Sequence, residues 1–317
     1  MTAAAPRISV AICTHNRYDL VSKAVASAAA QDLPPDQFRI LVIDNSPDAE
    51  RAAAFGSRFE GIENLSYVHE TTPGLSNARN LAAVTCGTEF ISFLDDDAIA
   101  SPQWLREVLH AFDAFGDSAA IVGGRVLPIW GAPRPPWLHD KMLGSVSVVD
   151  WGGDLRLAEA GEWFCGANIS FRTSAILDCG GFATNLGRKG SGSALLSNEE
   201  IKLVAEIKAR GGLMIYAPLA VVDHLVEPKR LTHSWFRKRM AWQATSDFLM
   251  DPDQFTAKGT EQWLGVRNYL AARPPHERSV RGLLIDTNDP EMFHWQLGAI
   301  YTLTAGLLAG FEGADLD

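Results

Sequence analysis

Three consecutive carboxylates, Asp95, Asp96 and Asp97, close the apolar run Phe90-Ile91-Ser92-Phe93-Leu94. The run reads as a buried strand, and the turn after it sends the carboxylates out of its C-terminal end. Adjacent anions repel one another unless a cation or solvent offsets the charge. Hard oxygen ligands at a strand end suit Mg²⁺ or Mn²⁺, ions that also hold phosphate oxygens. A solvated acidic loop or a helix N-terminus is the plain alternative. Other polar groups leave apolar runs in the same way: Thr14-His15-Asn16 after Ile8–Cys13, and Asp44 after Phe38–Ile43. Glu199 and Glu200 open a helical pattern through Ile201, Val204, Ala205 and Ile207, where first-turn acids also simply favour the helix dipole. Ser197 or Asn198 is the expected cap of that helix.

The elements that must position these groups alternate. Ile8–Thr14 is a strand, and apolar spacing through Leu20, Val21, Ala24, Val25 and Ala28 predicts a helix after it. Phe38–Ile43 is the next strand, with a helix running to Phe59, and Leu65–His69 is a short strand. Thr72-Pro73-Gly74 turns the chain, and Ser76 is placed to cap a helix through Ala78, Leu81, Ala82 and Ala83. Nearly continuous apolar strands alternating with helices predict a largely parallel sheet covered on both faces. Ligands in such sheets bind at the strand C-terminal ends, where three separate polar groups here meet one rim.

Further along, Pro102–Phe115 reads as a helix and Ala119–Val122 as a strand. Pro128–Trp163, rich in Pro and Trp, reads as a long shaped loop, either functional or a wrap around the core. Gly166–Phe171 returns to a strand pattern, Gly187–Ser193 is flexible and basic, and Met214–Val222 forms one or two short strands. Helical character begins at Thr232. One catalytic domain over residues 1–225 and a helical C-terminal extension over 226–317 are the expected organisation.

With 317 residues and 47% apolar content, the chain can bury a sizeable core. A net charge of −10 argues against a nucleic-acid partner. Cys13, Cys86, Cys165 and Cys179 form no C-x-x-C pair, which argues against zinc and fits a reducing compartment; Cys13 reads as a buried small hydrophobe. The N-terminus lacks a signal-peptide pattern, and Leu297–Phe311 is too short and broken to span a bilayer. A cytoplasmic protein is expected, with contact to the inner face of a membrane left open.

The ordered series of motifs resembles glycosyltransferase family 2, inverting enzymes of the GT-A fold, in its bacterial type. The resemblance rests on Ile8–Arg17, Val42–Ser46, Gly74–Asn80, Leu94–Asp97, Gly166–Asn168, Gly180–Phe182, Asn198–Glu200 and His224. It covers about residues 5 to 245. It implies a Rossmann-like αβα sandwich and metal-dependent transfer of a hexose from a UDP-sugar to an acceptor hydroxyl. Asp44 then falls where the family binds uracil, with Thr14 and Asn16 lining that pocket and Arg79 contacting the nucleotide. Asp95 and Asp97 match the outer positions of the family's D-x-D, and His224 a histidine that completes the metal site with Mn²⁺ or Mg²⁺. Glu199 and Glu200 match its acidic pair, with Glu200 favoured as the base.

The donor-binding set is completed by His15, Arg17, Asn77, Asp96, Arg188 and Lys189, the last two on a loop able to close over the diphosphate. Asn168, Trp137, Trp235 and Arg239 are assigned to the acceptor side, where aromatic faces and cations would receive a saccharide, a lipid-linked glycan or a small molecule. For Trp235, as for Phe236 and Trp242, a place in a helix core is the competing reading. The sequence departs from the family pattern at Asn45, Glu200 and Lys202, where acids or a shorter acid are commoner. A homodimer stays open. The rival readings are a sugar-nucleotide pyrophosphorylase-like nucleotidyltransferase, disfavoured because Thr14–Arg17 has no glycine, and a non-catalytic nucleotide-sugar or glycan-binding protein.

Overall fold

The computed structural model describes residues 5–190, 194–253 and 259–310. The chain divides into two units. Unit 1 comprises residues 1–129, 147–192 and 199–225, and unit 2 residues 130–146, 193–198 and 226–317.

Unit 1 is built on a sheet of order β3-β2-β1-β4-β8-β6-β9-β5, with β7 paired to β9. Its parallel half is β1 (Ile8–Thr14), β2 (Phe38–Asp44), β3 (Leu65–His69) and β4 (Phe90–Asp95). The register sets Thr14 beside Asp44 and Cys13 beside Asp95, so three strand ends are level. β8 (Ile169–Arg172) then pairs antiparallel with both β4 and β6 (Ala119–Trp130). β9 (Leu213–Val226) pairs antiparallel with β5 (Ala98–Ala100) and β7 (Arg156–Leu157).

Alternation along each strand splits the core into two layers. Ile8, Val10 and Ile12 pack with helices α1 (Tyr18–Ala29), α2 (Ala49–Gly56) and α4 (Trp104–Phe115). Ala11, Ile43, Ile91 and Phe93 pack with α3 (Leu75–Thr85), α5 (Thr173–Asp178) and α6 (Glu199–Ala209). In unit 2, α7 (His233–Met250), α8 (Gly259–Ala271) and α9 (Pro290–Leu308) carry the described helices. Among the described residues, no helix is long and apolar enough to cross a membrane.

Several local expectations are corrected. β9 is one strand of 14 residues; Pro218, which has no N–H to give, falls between the stretch paired with β7 and the stretch paired with β5. The strand begun at Ala119 runs on to Trp130. Its Gly124 has no room for a side chain, because a Cβ would stand 1.8 Å from the Ala220 carbonyl oxygen. Pro128–Trp163 holds a 3₁₀ segment at Asp140–Val146, the strand β7 and a bridge between Val126 and Val149. Gly74, at φ 130°, stands at the N-cap of α3, while Ser76 lies inside the helix and donates to the Leu186 carbonyl. Asn198 has φ 77°, and its side chain bonds Asp247 and Gln243 of α7 instead of serving as the expected cap. Cys13 is only partly buried.

Candidate active site

β4 delivers Asp95 at the strand end, and the turn to β5 carries Asp96 and Asp97. The pairing of Ala98 with His224, and a hydrogen bond from Leu225 N to Asp97 O, bring β9 alongside that turn. One ligand atom each from Asp95, Asp97 and His224 then lies within 4.8 Å of the others. His224 Nε2 stands 3.2 Å from Asp97 Oδ1, and both side chains are almost wholly buried. The three side chains fit a divalent cation. Carboxylate oxygens with one imidazole nitrogen suit Mn²⁺ or Mg²⁺, and closely set carboxylates gain from a positive charge.

The middle aspartate has a different task. Asp96 accepts from Thr14 Oγ1 and from Arg17, each at 2.8 Å, and Arg17 also reaches Asp97 at 2.8 Å. Arg17 thus ties the start of α1 to the aspartate turn. Burial pushes the Asp96 carboxyl up to about 7, against the pull of Arg17. Burial likewise raises Asp95, against the pull of Arg79.

The acidic pair lies across a buried cation. Arg79, on α3, is only 3% exposed and donates from Nη1 to Glu199 Oε1 at 2.8 Å. Glu200 Oε2 is 3.9 Å from the same nitrogen, and Asp95 Oδ1 is 3.7 Å from Nη2. The guanidinium lies over the Phe93 and Phe182 rings, 5.6 Å from each centroid. Gly166 makes room for it, since a Cβ there would stand 1.9 Å from Nη2. Burial, then the neighbouring Glu200 carboxylate, push Glu199 up to about 8 despite Arg79. Burial opposes the charge on Arg79, but Glu199, Glu200 and Asp95 together raise its pKa. Glu200 is the more open of the two acids, with 16% side-chain exposure against 4% for Glu199.

Over residues 9–152 the sequence matches the family model described as Glycosyl transferase family 2. Over that stretch the chain is similar to glycosyltransferase family 2, as its resemblance in motifs implied. It is 29% identical over 248 residues to the glucosyl-dolichyl phosphate glucuronosyltransferase of Haloferax volcanii, covering 77% of each chain. It is also 29% identical over 234 residues to the succinoglycan biosynthesis protein ExoM of Rhizobium meliloti, covering 73% of this chain and 71% of that one. Among solved structures, the mannosyltransferase PcManGT of Pyrobaculum calidifontis, in complex with GDP-Man and Mn²⁺, superposes with a TM-score of 0.58. That match has 19% identity and spans 96% of this chain and 88% of the other. The S. aureus TarS fragment gives a TM-score of 0.52 at 16% identity, over 94% and 90% of the two chains. The fold of this chain is GT-A.

Within this chain, most of the anticipated donor residues share the strand-end rim, with different degrees of freedom. Asp44 is fully buried and saturated: Ser46 N and Oγ donate to Oδ1, and the hydroxyls of Tyr18 and Tyr67 donate to Oδ2. It can accept from a base only if a tyrosine lets go. Asn45 donates to the carbonyls of Glu70 and Thr72 and accepts from Gly74 N, each at 2.7 Å. An aspartate at this position could not make both donations, which accounts for the departure from the family pattern. His15 Nδ1 lies 2.6 Å from Asn45 O, and Asn16, at φ 58°, is exposed. Asn77 donates to Pro73 O.

The loop expected to cover the diphosphate approaches that rim. Arg188 O accepts from Leu75 N, Lys189 is exposed, and a Cβ at Gly190 would stand 4.0 Å from the His15 ring. Its Ser191, Gly192 and Ser193 lie outside the described residues.

Two acceptor-side assignments are corrected. Asn168 is spent on the scaffold, accepting from Trp104 Nε1 and donating to the carbonyls of Arg125 and Ala220. Trp137 is buried in unit 2 against His233, Phe236 and Phe293, so its faces are already covered. Trp235 and Trp242 are half-buried on α7, where Phe236 is the fully buried aromatic, and Arg239 bonds Ser197 and Gln243. Sequence reasoning passed over Tyr18 and Tyr67 around Asp44, and gave no site role to Ser46, Phe93 or Phe182, although these three lie in the stretches singled out above.

Proposed function

We propose that this glycosyltransferase transfers a sugar from a UDP-sugar to an acceptor hydroxyl with inversion, in a divalent-cation-dependent reaction. The observation that carries the reading is the gathering of Asp95, Asp97 and His224 at the strand ends, with the Glu199–Glu200 pair on the other side of Arg79. A cation held by those three side chains would offset the charge of the departing diphosphate. Thr14, Asn16 and Asp44 are assigned to the nucleotide, and Arg188 and Lys189 to its phosphates. Glu200 takes the proton from the acceptor hydroxyl as its oxygen attacks the anomeric carbon from the face opposite the leaving group. Glu199 holds Arg79 through its 2.8 Å hydrogen bond and fixes the first turn of α6, which orients Glu200. Saccharide and lipid-linked acceptors both fit this scheme; the Haloferax relative is named for a dolichyl-phosphate-linked substrate.

Calorimetry with UDP and GDP, in Mn²⁺ and in EDTA, tests the donor and metal assignments. UDP should bind more tightly than GDP, and only with Mn²⁺. Asp97→Ala should remove the Mn²⁺-dependent part of the affinity. UDP binding that is indifferent to EDTA would overturn the metal assignment, and a preference for GDP the nucleotide.

A further inference from the structure

In unit 2, the segment from Ser279 to Asp286 holds large aliphatic side chains in solvent. Val280, Leu284 and Ile285 are 54%, 59% and 51% exposed, on and beside a single 3₁₀ segment, Val280–Leu284. The backbone that carries them is anchored from within. Leu283 is buried and clusters with Tyr269 and Ala299. Gln296 of α9 donates from Nε2 to the carbonyls of Gly282 and Ile285, at 3.4 and 3.0 Å. The chain doubles back so closely that a Cβ at Gly282 would stand 2.3 Å from the Glu277 carbonyl oxygen. One leucine therefore points inward while three aliphatics are held outward.

The charges around this tip run against those of the whole chain. Residues 264–286 contain four arginines against one glutamate and one aspartate, in a protein of net charge −10. Both acids are paired, Glu277 with Arg273 and Asp286 with Arg237. Arg278 and Arg281 flank the aliphatics and are exposed. Trp295, next to Gln296 on α9, is 44% exposed.

We infer that this tip docks on an anionic lipid surface. Exposed aliphatics set among arginines are what enters the boundary between headgroups and acyl chains, with the guanidinium groups on lipid phosphates. An acidic chain is repelled by such a surface overall, so its approach is favoured where the arginines are concentrated. A second copy of this chain fits less well, because a two-fold interface brings the same patch together and would gather the arginines of both copies.

Co-sedimentation of the full chain with vesicles tests the inference. Phosphatidylcholine vesicles containing phosphatidylglycerol should retain the protein, pure phosphatidylcholine much less, and added salt should weaken retention. The double variant Leu284→Glu, Ile285→Glu should lose at least about tenfold in partitioning. Arg278→Gln with Arg281→Gln should lose about tenfold as well, and only on the anionic vesicles. All four positions are exposed, so melting temperature and donor hydrolysis should stay at wild-type values in both variants. That readout keeps a failure of membrane docking distinct from a failure of the proposed reaction. The inference falls if the anionic vesicles do not retain the wild type, or retain both variants equally well. It falls too if analytical ultracentrifugation shows a dimer that Leu284→Glu with Ile285→Glu dissolves.

Discussion

Glu199 and Glu200 are adjacent in sequence and about a quarter-turn apart in direction, and that rotation separates their roles. Glu199 turns into the protein and pairs with Arg79, whereas Glu200 keeps partial exposure and a looser approach to the same cation. A base must exchange protons with a substrate, so the open member is the better placed. Glu200→Gln should bind donor nearly as the wild type does and transfer sugar ~10²- to 10⁴-fold more slowly. Glu199→Gln should retain more activity but lose stability above about pH 8, where ionised Glu199 compensates the buried Arg79 guanidinium and Gln does not. Steady-state rates read beside melting temperatures separate the two. A Glu200→Gln enzyme with near-wild-type turnover, beside an inactive but stable Glu199→Gln, would move the base to Glu199.

Elements, more than single residues, set the shape of the strand-end rim. Asn45 closes the segment Glu70–Gly74 onto the end of β2 with three hydrogen bonds, and that segment leads directly into α3 and Arg79. Asn45→Asp should turn two donations into repulsion between a carboxylate and carbonyl oxygens. A loss of ~2–4 kcal/mol in urea unfolding is expected, together with weaker nucleotide binding. Unchanged unfolding would mean that the loop holds without Asn45. Gly166 acts on the other side of the same helix. Gly166→Ala should push the Arg79 fork off Glu199, with a destabilisation of ~1–3 kcal/mol and a loss of turnover larger than that of donor affinity. Turnover equal to wild type would show that Arg79 can shift without consequence.

Over the whole molecule, proton binding is linked to folding, and binding of the proposed cation would be linked as well. Burial first, resisted by Arg17, pushes Asp96 up to about 7, and burial also raises Asp95. A carboxyl with a raised folded pKa holds its proton longer in the folded chain than in the unfolded one. The contribution of these groups to stability is therefore fully present below the unfolded carboxylate pKa of about 4 and falls as pH rises toward about 7. A divalent cation favours the ionised carboxylates and displaces those protons, so its stabilisation runs the other way. The rise in melting temperature from EDTA to Mn²⁺ should grow between about pH 5 and about pH 8. An increment that stays flat or shrinks over that range would argue against a cation on Asp95 and Asp97.

The sequence by itself determined the parallel strands β1 to β4 and the polar groups at their ends, because both follow from local pattern; that the sheet is of the GT-A kind came from the family resemblance. Apolar runs of strand length that end in Thr14, Asp44 and Asp95 announce parallel strands and the polar groups at their C-terminal ends. It did not determine which of those groups are free, since that depends on partners far away in the chain. Asp44 meets Tyr67, Asn168 meets Trp104 and Ala220, and Arg79 meets Glu199, 120 positions on. Length and continuity of β9 were hidden by Pro218, whose missing N–H is tolerated only because of where the neighbouring strands lie. Exposure at Val280, Leu284 and Ile285 was equally illegible, because an apolar residue carries no mark of the side it faces. Only the packing of Leu283 and the hold of Gln296 decided that these three point to solvent.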